Sequence, residues 1–160
     1  MKVTVLAVGR MKAGPEKDLA QRYLERFGRS GPALGLDFGG VIELAEGRAG
    51  LAEARRHDEA ARLLAQLAGG AALIALDERG QDLTSEQFAA ALARFRDENR
   101  RSLALVIGGP DGHDPALRAA ADLVVSLGAM TWPHQLCRIM LAEQLYRATT
   151  ILAGHPYHRG

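Results

Sequence analysis

Apolar residues, many of them β-branched, run almost unbroken through positions 3–8, 41–45, 71–76, 103–107 and 123–127. Runs this short and this continuous mark strands buried on both faces, because a strand with one wet face would alternate. Between them, residues 16–27, 51–67, 85–99 and 115–121 carry apolar positions at helical spacing, and a last helix is predicted over 133–153 with Gly154 as its cap. Start signals support the assignment. Thr84 and Gln87 have capping-box spacing, and Asp114 places an N-cap before a first-turn proline, Pro115. Strand and helix alternate five times, which predicts one α/β domain over residues 1–160, a mostly parallel sheet flanked by helices on both faces. Residues 28–40 read as a glycine-rich connection, and there is no internal repeat or low-complexity tract.

The last helix is apolar around nearly its whole circumference: Leu136, Ile139, Met140, Leu141, Ala142, Leu145, Tyr146, Ile151 and Leu152 leave little of it polar. Such a helix must be covered on more than one side. In a domain this small one side faces the sheet, and the other is expected to meet a second copy of the chain in a homodimer.

Composition narrows the class. With 48% hydrophobic and 24% charged residues and no apolar run of membrane-spanning length, a soluble globular protein without membrane contact is expected. The first residues lack a signal-peptide layout, so a cytoplasmic location is expected. The single cysteine, Cys137, excludes an internal disulfide, and no clustered ligands point to a metal. Twenty basic against 19 acidic residues leave a net charge of +1, so any nucleic-acid site has to be a local patch.

In a parallel sheet ligands sit at the carboxyl ends of the strands. The loop after the first strand, Gly9-Arg10-Met11-Lys12-Ala13-Gly14-Pro15, has neither a dinucleotide fingerprint nor a P-loop, and no serine stands in a nucleophile elbow. Two later loops remain. Gly108-Gly109-Pro110-Asp111-Gly112 ends a buried strand with bare backbone open to a flat ligand, or is simply a tight turn. Leu127-Gly128-Ala129-Met130-Thr131-Trp132-Pro133-His134 is weakly charged and fits recognition by backbone amides and carbonyls, or dimer packing.

Taken together and in order, Ile107-Gly108-Gly109-Pro110-Asp111-Gly112, Met130-Thr131-Trp132-Pro133-His134, Glu143-Gln144-Leu145-Tyr146-Arg147-Ala148 and His155-Pro156-Tyr157-His158-Arg159 closely resemble the bacterial 23S ribosomal RNA (pseudouridine-N3)-methyltransferases of the SPOUT superfamily. The start, with Val5-Leu6-Ala7-Val8-Gly9 and Lys12, and the strand end Ala75-Leu76-Asp77 match as well, so the resemblance spans essentially the whole chain. It implies an α/β-knot, in which the C-terminal segment forms a trefoil, and a homodimer. It also implies S-adenosylmethionine as cofactor, held by Leu76, Gly108, Leu127, Gly128, Ala129, Met130, Thr131 and Trp132. The implied partner is 23S ribosomal RNA of the large subunit, met in the assembled ribosome. Residues 28–62 are the least family-like.

N3 of pseudouridine carries a proton at neutral pH that must be accepted, or its anion stabilised, as the methyl arrives. His158, Tyr157 and Arg147 are the catalytic candidates, and Arg138, Arg159 and His134 the substrate-binding ones. Tyr157, His158 and Arg159 together suit stacking and phosphate contact with an unstacked base. Arg147 also stands four residues after Glu143, where an ordinary helical ion pair would place it. Arg138 and Arg147 are nine positions apart and point to opposite sides of their helix, so a site needing both would draw on two subunits. Other readings of the chain are a knotted methyltransferase with a different target base and a non-catalytic ribosome-binding module.

Overall fold

The computed structural model describes residues 1–158. Its elements run β1 (Lys2–Val8), α1 (Pro15–Ser30), a 3-10 turn (Pro32–Leu34), β2 (Asp37–Leu44), α2 (Ala52–Leu64), β3 (Ala72–Asp82), α3 (Ser85–Asp97), β4 (Ser102–Ile107), α4 (Pro115–Ala120), β5 (Leu123–Ser126) and α5 (His134–Leu152). All strand pairs are parallel, in the order β2-β1-β4-β3-β5. Both predicted caps form: the Thr84 and Gln87 side chains bond reciprocally, and Asp114 accepts from the Ala116 N–H at 2.7 Å.

The two-residue period of the strands sorts the core into two layers. On one face Val3, Val5, Ala7, Ile74, Leu103, Leu105 and Ile107 pack against Phe27 of α1, Phe88, Leu92 and Phe95 of α3, and Leu141 and Leu145 of α5. On the other, Leu6, Val8, Leu73, Ala75, Ala104 and Val106 pack against Ala60 and Leu63 of α2 and Leu117 of α4. Helix α5 lies against α1 and α3 as well as the sheet, so one protomer already covers much of its apolar circumference. Leu136 remains exposed, with Ile139 and Met140 half-buried beside it.

Two boundaries differ from the sequence reading. Strand β2 starts at Asp37, inside the stretch read as a connection: Asp37 and Phe38 pair with Lys2 and Val3, and Gly39 and Gly40 form an irregularity in the ladder before pairing resumes at Val41. Strand β3 continues past Leu76 to Asp82. It pairs with β5 through Leu76, leaves the ladder, and rejoins it at Gln81, opposite the same Val125. The four residues between leave the ladder in a bow, with Gly80 packed back on β5, and the other three are charged, which is why no apolar run announces them.

Candidate active site

A cavity of about 470 Å³ opens at the carboxyl ends of β3, β4 and β5, a size suited to a ligand of nucleoside dimensions. Three segments wall it. The bow after β3 contributes Asp77, Glu78 and Arg79; the turn after β4 contributes residues 108–113; the segment after β5 contributes Leu127, Gly128, Met130, Thr131 and Trp132. Arg56, Arg118, His134 and Cys137 complete the wall.

Local chemistry holds each segment. The turn closes with the Gly112 N–H on the Gly109 carbonyl at 2.9 Å, and Gly112 sits at φ +79°, where a side chain would be strained. A Cβ on Gly108 would lie 3.1 Å from the Gly112 carbonyl carbon and 3.2 Å from the His113 ring. In the last segment the Ser126 hydroxyl accepts from the Gly128 N–H at 3.0 Å, and the Trp132 indole N–H donates to the Leu127 carbonyl at 3.0 Å, so the tryptophan folds the segment back on itself.

Of the residues predicted to hold a cofactor, Leu76, Gly108, Leu127, Gly128, Met130, Thr131 and Trp132 line this cavity; Ala129 is exposed and stands outside its lining. His134 lines it too, with its Nε2 buried and without a hydrogen-bond partner. Arg138 is placed differently. It is buried, with Nη2 2.5 Å from Glu43 and Nη1 donating to the Gly9 carbonyl at 3.3 Å, and it ties α5 to β2 and to the loop after β1. Burial works to raise the Glu43 carboxyl, but the Met11 N–H and Arg138 outweigh it and hold the group below the ordinary range.

The C-terminal tail folds back on α3 and α5. Arg147 grips Glu143 through Nε and Nη2 at 3.0 and 2.5 Å, the ion pair four residues apart that the spacing allowed. The Tyr157 hydroxyl donates to Glu143 at 3.1 Å, and its ring stacks 4.8 Å from Tyr146 and lies under the Arg147 guanidinium. His158 stands between Arg147, 3.4 Å from Nδ1, and Glu86, 2.6 Å from Nε2. Because Arg147 only donates, the arrangement assigns a proton to Nε2 and an acceptor lone pair to Nδ1. Burial, then Tyr23 and Glu143, push the Tyr157 phenol far above its ordinary value, so it stays protonated. Arg147, Tyr157 and His158 line no part of the cavity in their own protomer. Arg159 lies outside the described residues.

Residues 1–158 match the family described as predicted SPOUT methyltransferases. The chain belongs to the SPOUT methyltransferase family. Curated relatives at this level are full-length. The ribosomal RNA large subunit methyltransferase H of Brucella anthropi is 62% identical over 159 residues, covering 99% of both chains. That of Mesorhizobium japonicum is also 62% identical with 99% of both covered, and that of Brucella abortus is 58% identical over 168 residues at the same coverage. Among solved structures, a probable methyltransferase from Bordetella pertussis Tohama I aligns with a TM-score of 0.49 and 13% identity over 92% of this chain and 95% of that one.

This SPOUT chain holds polar groups at its cavity that no sequence pattern singled out. The Asp77 side chain is 3% exposed; it accepts from the Arg79 N–H at 3.0 Å and meets Arg118 at 3.4 Å, while Arg118 donates to the His113 carbonyl at 2.7 Å. His113 is 4% exposed and its Nε2 has no partner. Position was the available signal: Asp77 follows the apolar run of β3 and His113 the carboxyl end of β4, where ligands gather. No three His, Cys, Asp or Glu side chains among the described residues form a metal cluster, and no described helix is long and apolar enough to cross a membrane.

Burial lowers the His113 imidazole below its usual 6.5, against the pull of Asp77 and of the Val106 and Leu76 carbonyls. The unfolded chain therefore binds a proton at His113 before the folded chain does, and stability is lost as pH falls through 6.5 and below. The melting temperature is expected to fall more steeply over that window in the parent than in His113→Leu; equal slopes would count against a buried neutral imidazole.

Proposed function

We propose that this chain transfers a methyl group from S-adenosylmethionine to N3 of a pseudouridine in 23S ribosomal RNA of the large subunit, acting on the assembled ribosome in the cytoplasm as a knotted homodimer built from a single SPOUT domain. The observation that carries the reading is the cavity at the strand ends, walled by Gly108 and the segment from Leu127 to Trp132, in a chain 62% identical end to end to relatives named for large-subunit ribosomal RNA methylation.

The residues present fit the cofactor. The cavity has the volume for it, four glycines leave backbone bare at the wall, and the buried Nε2 atoms of His113 and His134 stand unpaired beside it. Leu76, Gly108, Leu127, Gly128, Met130, Thr131 and Trp132 would hold S-adenosylmethionine, which when bound supplies an electrophilic methyl group. Holding that methyl in line with a nucleophile is the larger part of the catalysis.

The tail residues supply the proton chemistry. His158 presents an Nδ1 lone pair, oriented by the Glu86 contact at Nε2, able to take the N3 proton once Arg147 turns to the RNA. Arg147 stays cationic and offsets the charge that forms on the base, and the protonated Tyr157 offers a stacking face and a donor. Arg159 and His134 contact substrate, while Arg138 aligns α5 from beneath. A target base reaching both tail and cavity is expected to take them from different subunits, since no described tail residue lines the cavity of its own protomer. The exposed Leu136 beside Ile139 and Met140 offers the apolar surface such a dimer needs. The knotted path is what membership of the SPOUT family implies for this chain.

Ribosomes from a strain lacking this activity are the test. Addition of the chain and S-adenosylmethionine should place 3-methylpseudouridine in 23S ribosomal RNA, read by nuclease digestion and mass spectrometry. Methylation of another nucleoside would move the target, and calorimetry without S-adenosylmethionine binding would leave a binding module only.

A further inference from the structure

The loop before helix α2 and most of that helix fall within residues 28–62, the stretch that resembles the family least. Helix α2 turns one side toward the cofactor turn. Arg55 and Glu59, one helical turn apart, both reach it, and Arg62 follows on the same side with Nη1 donating to the Ala45 carbonyl at 2.7 Å.

Arg55 is spent entirely on two loops. Its Nε and Nη2 donate to the two carboxylate oxygens of Asp111 at 2.7 and 3.1 Å, a bidentate pair, and its Nη1 donates to the Ala49 and Gly50 carbonyls at 2.9 and 3.0 Å. Arg55 holds the Asp111 carboxyl below its ordinary value. Glu59 is 3% exposed; one oxygen accepts from the Gly47 N–H at 2.7 Å. The other lies 2.9 Å from where a Cβ on Gly109 would stand and has no partner. The turn itself has little else to fix it, since Pro110 and Gly112 are exposed and only the single backbone bond closes it. Asp111 is thus the turn's bidentate side-chain anchor, its carbonyl taking one further bond of 3.5 Å from Arg56 Nη1, and the Arg55 guanidinium geometry fixes both its position and its plane.

We propose that Arg55 is a positioning residue for the cofactor: through Asp111 it sets the residue 108–112 turn in the conformation that receives S-adenosylmethionine, and α2 with the 45–50 loop is the frame that holds it there. This rests on the function proposed above. An Arg55 acting only as a general stabiliser would change melting without changing affinity for the cofactor. An Arg55 that positions the turn changes affinity and KM for the cofactor, leaves kcat near the parental value, and loses its effect once Asp111 is gone.

Calorimetry with S-adenosylmethionine is run on the parent, Arg55→Met, Asp111→Asn, the double variant and Arg55→Lys, with circular dichroism melts alongside. Either single change to Met or Asn is expected to weaken binding about tenfold, the double variant to bind no worse than the weaker single, and Arg55→Lys, which keeps a point charge without the fork, to fall between. Should Arg55→Met fail to fold, Arg55→Lys and Asp111→Asn decide. Variant affinities within about twofold of the parent, or additive losses in the double variant, overturn the inference while leaving the proposed function standing. A parent that does not bind S-adenosylmethionine overturns both.

Discussion

Gly80→Ala is expected to abolish binding of S-adenosylmethionine and to lower the melting temperature. A Cβ at Gly80 would lie 2.5 Å from the Val125 carbonyl carbon and 2.7 Å from both the Ser126 nitrogen and the Val124 carbonyl carbon. These are backbone atoms of β5, which cannot swing aside as a side-chain tip would. Relief requires that the bow after β3 or β5 itself move, and both lead directly into the cavity wall. Overpacking of this kind costs about 1–3 kcal/mol, which for a chain of this size is roughly 2–12 °C of melting temperature. A variant that melts and binds like its parent would show that the two backbones do not pack as described.

The second large effect falls on chemistry alone. His158→Ala is expected to reduce methyl transfer by about 10²–10⁴, the usual contribution of a positioned acid or base. Affinity for S-adenosylmethionine should stay within about twofold of the parent, because none of the described tail residues lines the cavity. Turnover equal to the parent's would remove His158 from the reaction. The variant also tests the shared site. Gly108→Val, in which the added carbons crowd Gly112 and His113, should be inactive for want of cofactor. Mixed in equal amounts, the two inactive chains should recover about a quarter of parental activity, since half the dimers are mixed and each has one complete site. No recovery would mean that tail and cavity work within one protomer.

The layered sheet was legible because burial on both faces writes a continuous apolar run into the sequence. Strand β4, read as 103–107 and found as Ser102–Ile107, is the clearest case. Strand β2 was read late because Gly39 and Gly40 carry no side chain to signal a strand, and the outer half of β3 because Glu78 to Asp82 is polar and largely exposed. At the site, Gly108 and the segment before α5 could be found as unusual loops in the right topological place. His113, Asp77 and the Arg55–Asp111 pair could not. The last joins residues 56 apart in sequence, and one polar contact between distant elements leaves no period to read.

The tail residues stand out by their chemistry, and their surroundings are invisible for a similar reason. Nothing in His158 or Glu86 alone announces that they meet across 72 residues, or that Arg147 closes the other side of the imidazole. The spacing of Glu143 and Arg147 did announce their pair, because helical neighbours are fixed by geometry within one element.

Apart from Arg56, every residue lining the cofactor cavity comes from Leu76 onward, and its closing wall comes after Ser126. During synthesis the first strands and helices emerge as a foundation without a cavity, and the chain gains a place for its methyl donor only when the start of α5 has docked. A truncated product, released before residue 127, would lack that wall and, on the proposed function, sequester no cofactor, so the pool of methyl donor would be drawn on by finished enzyme alone.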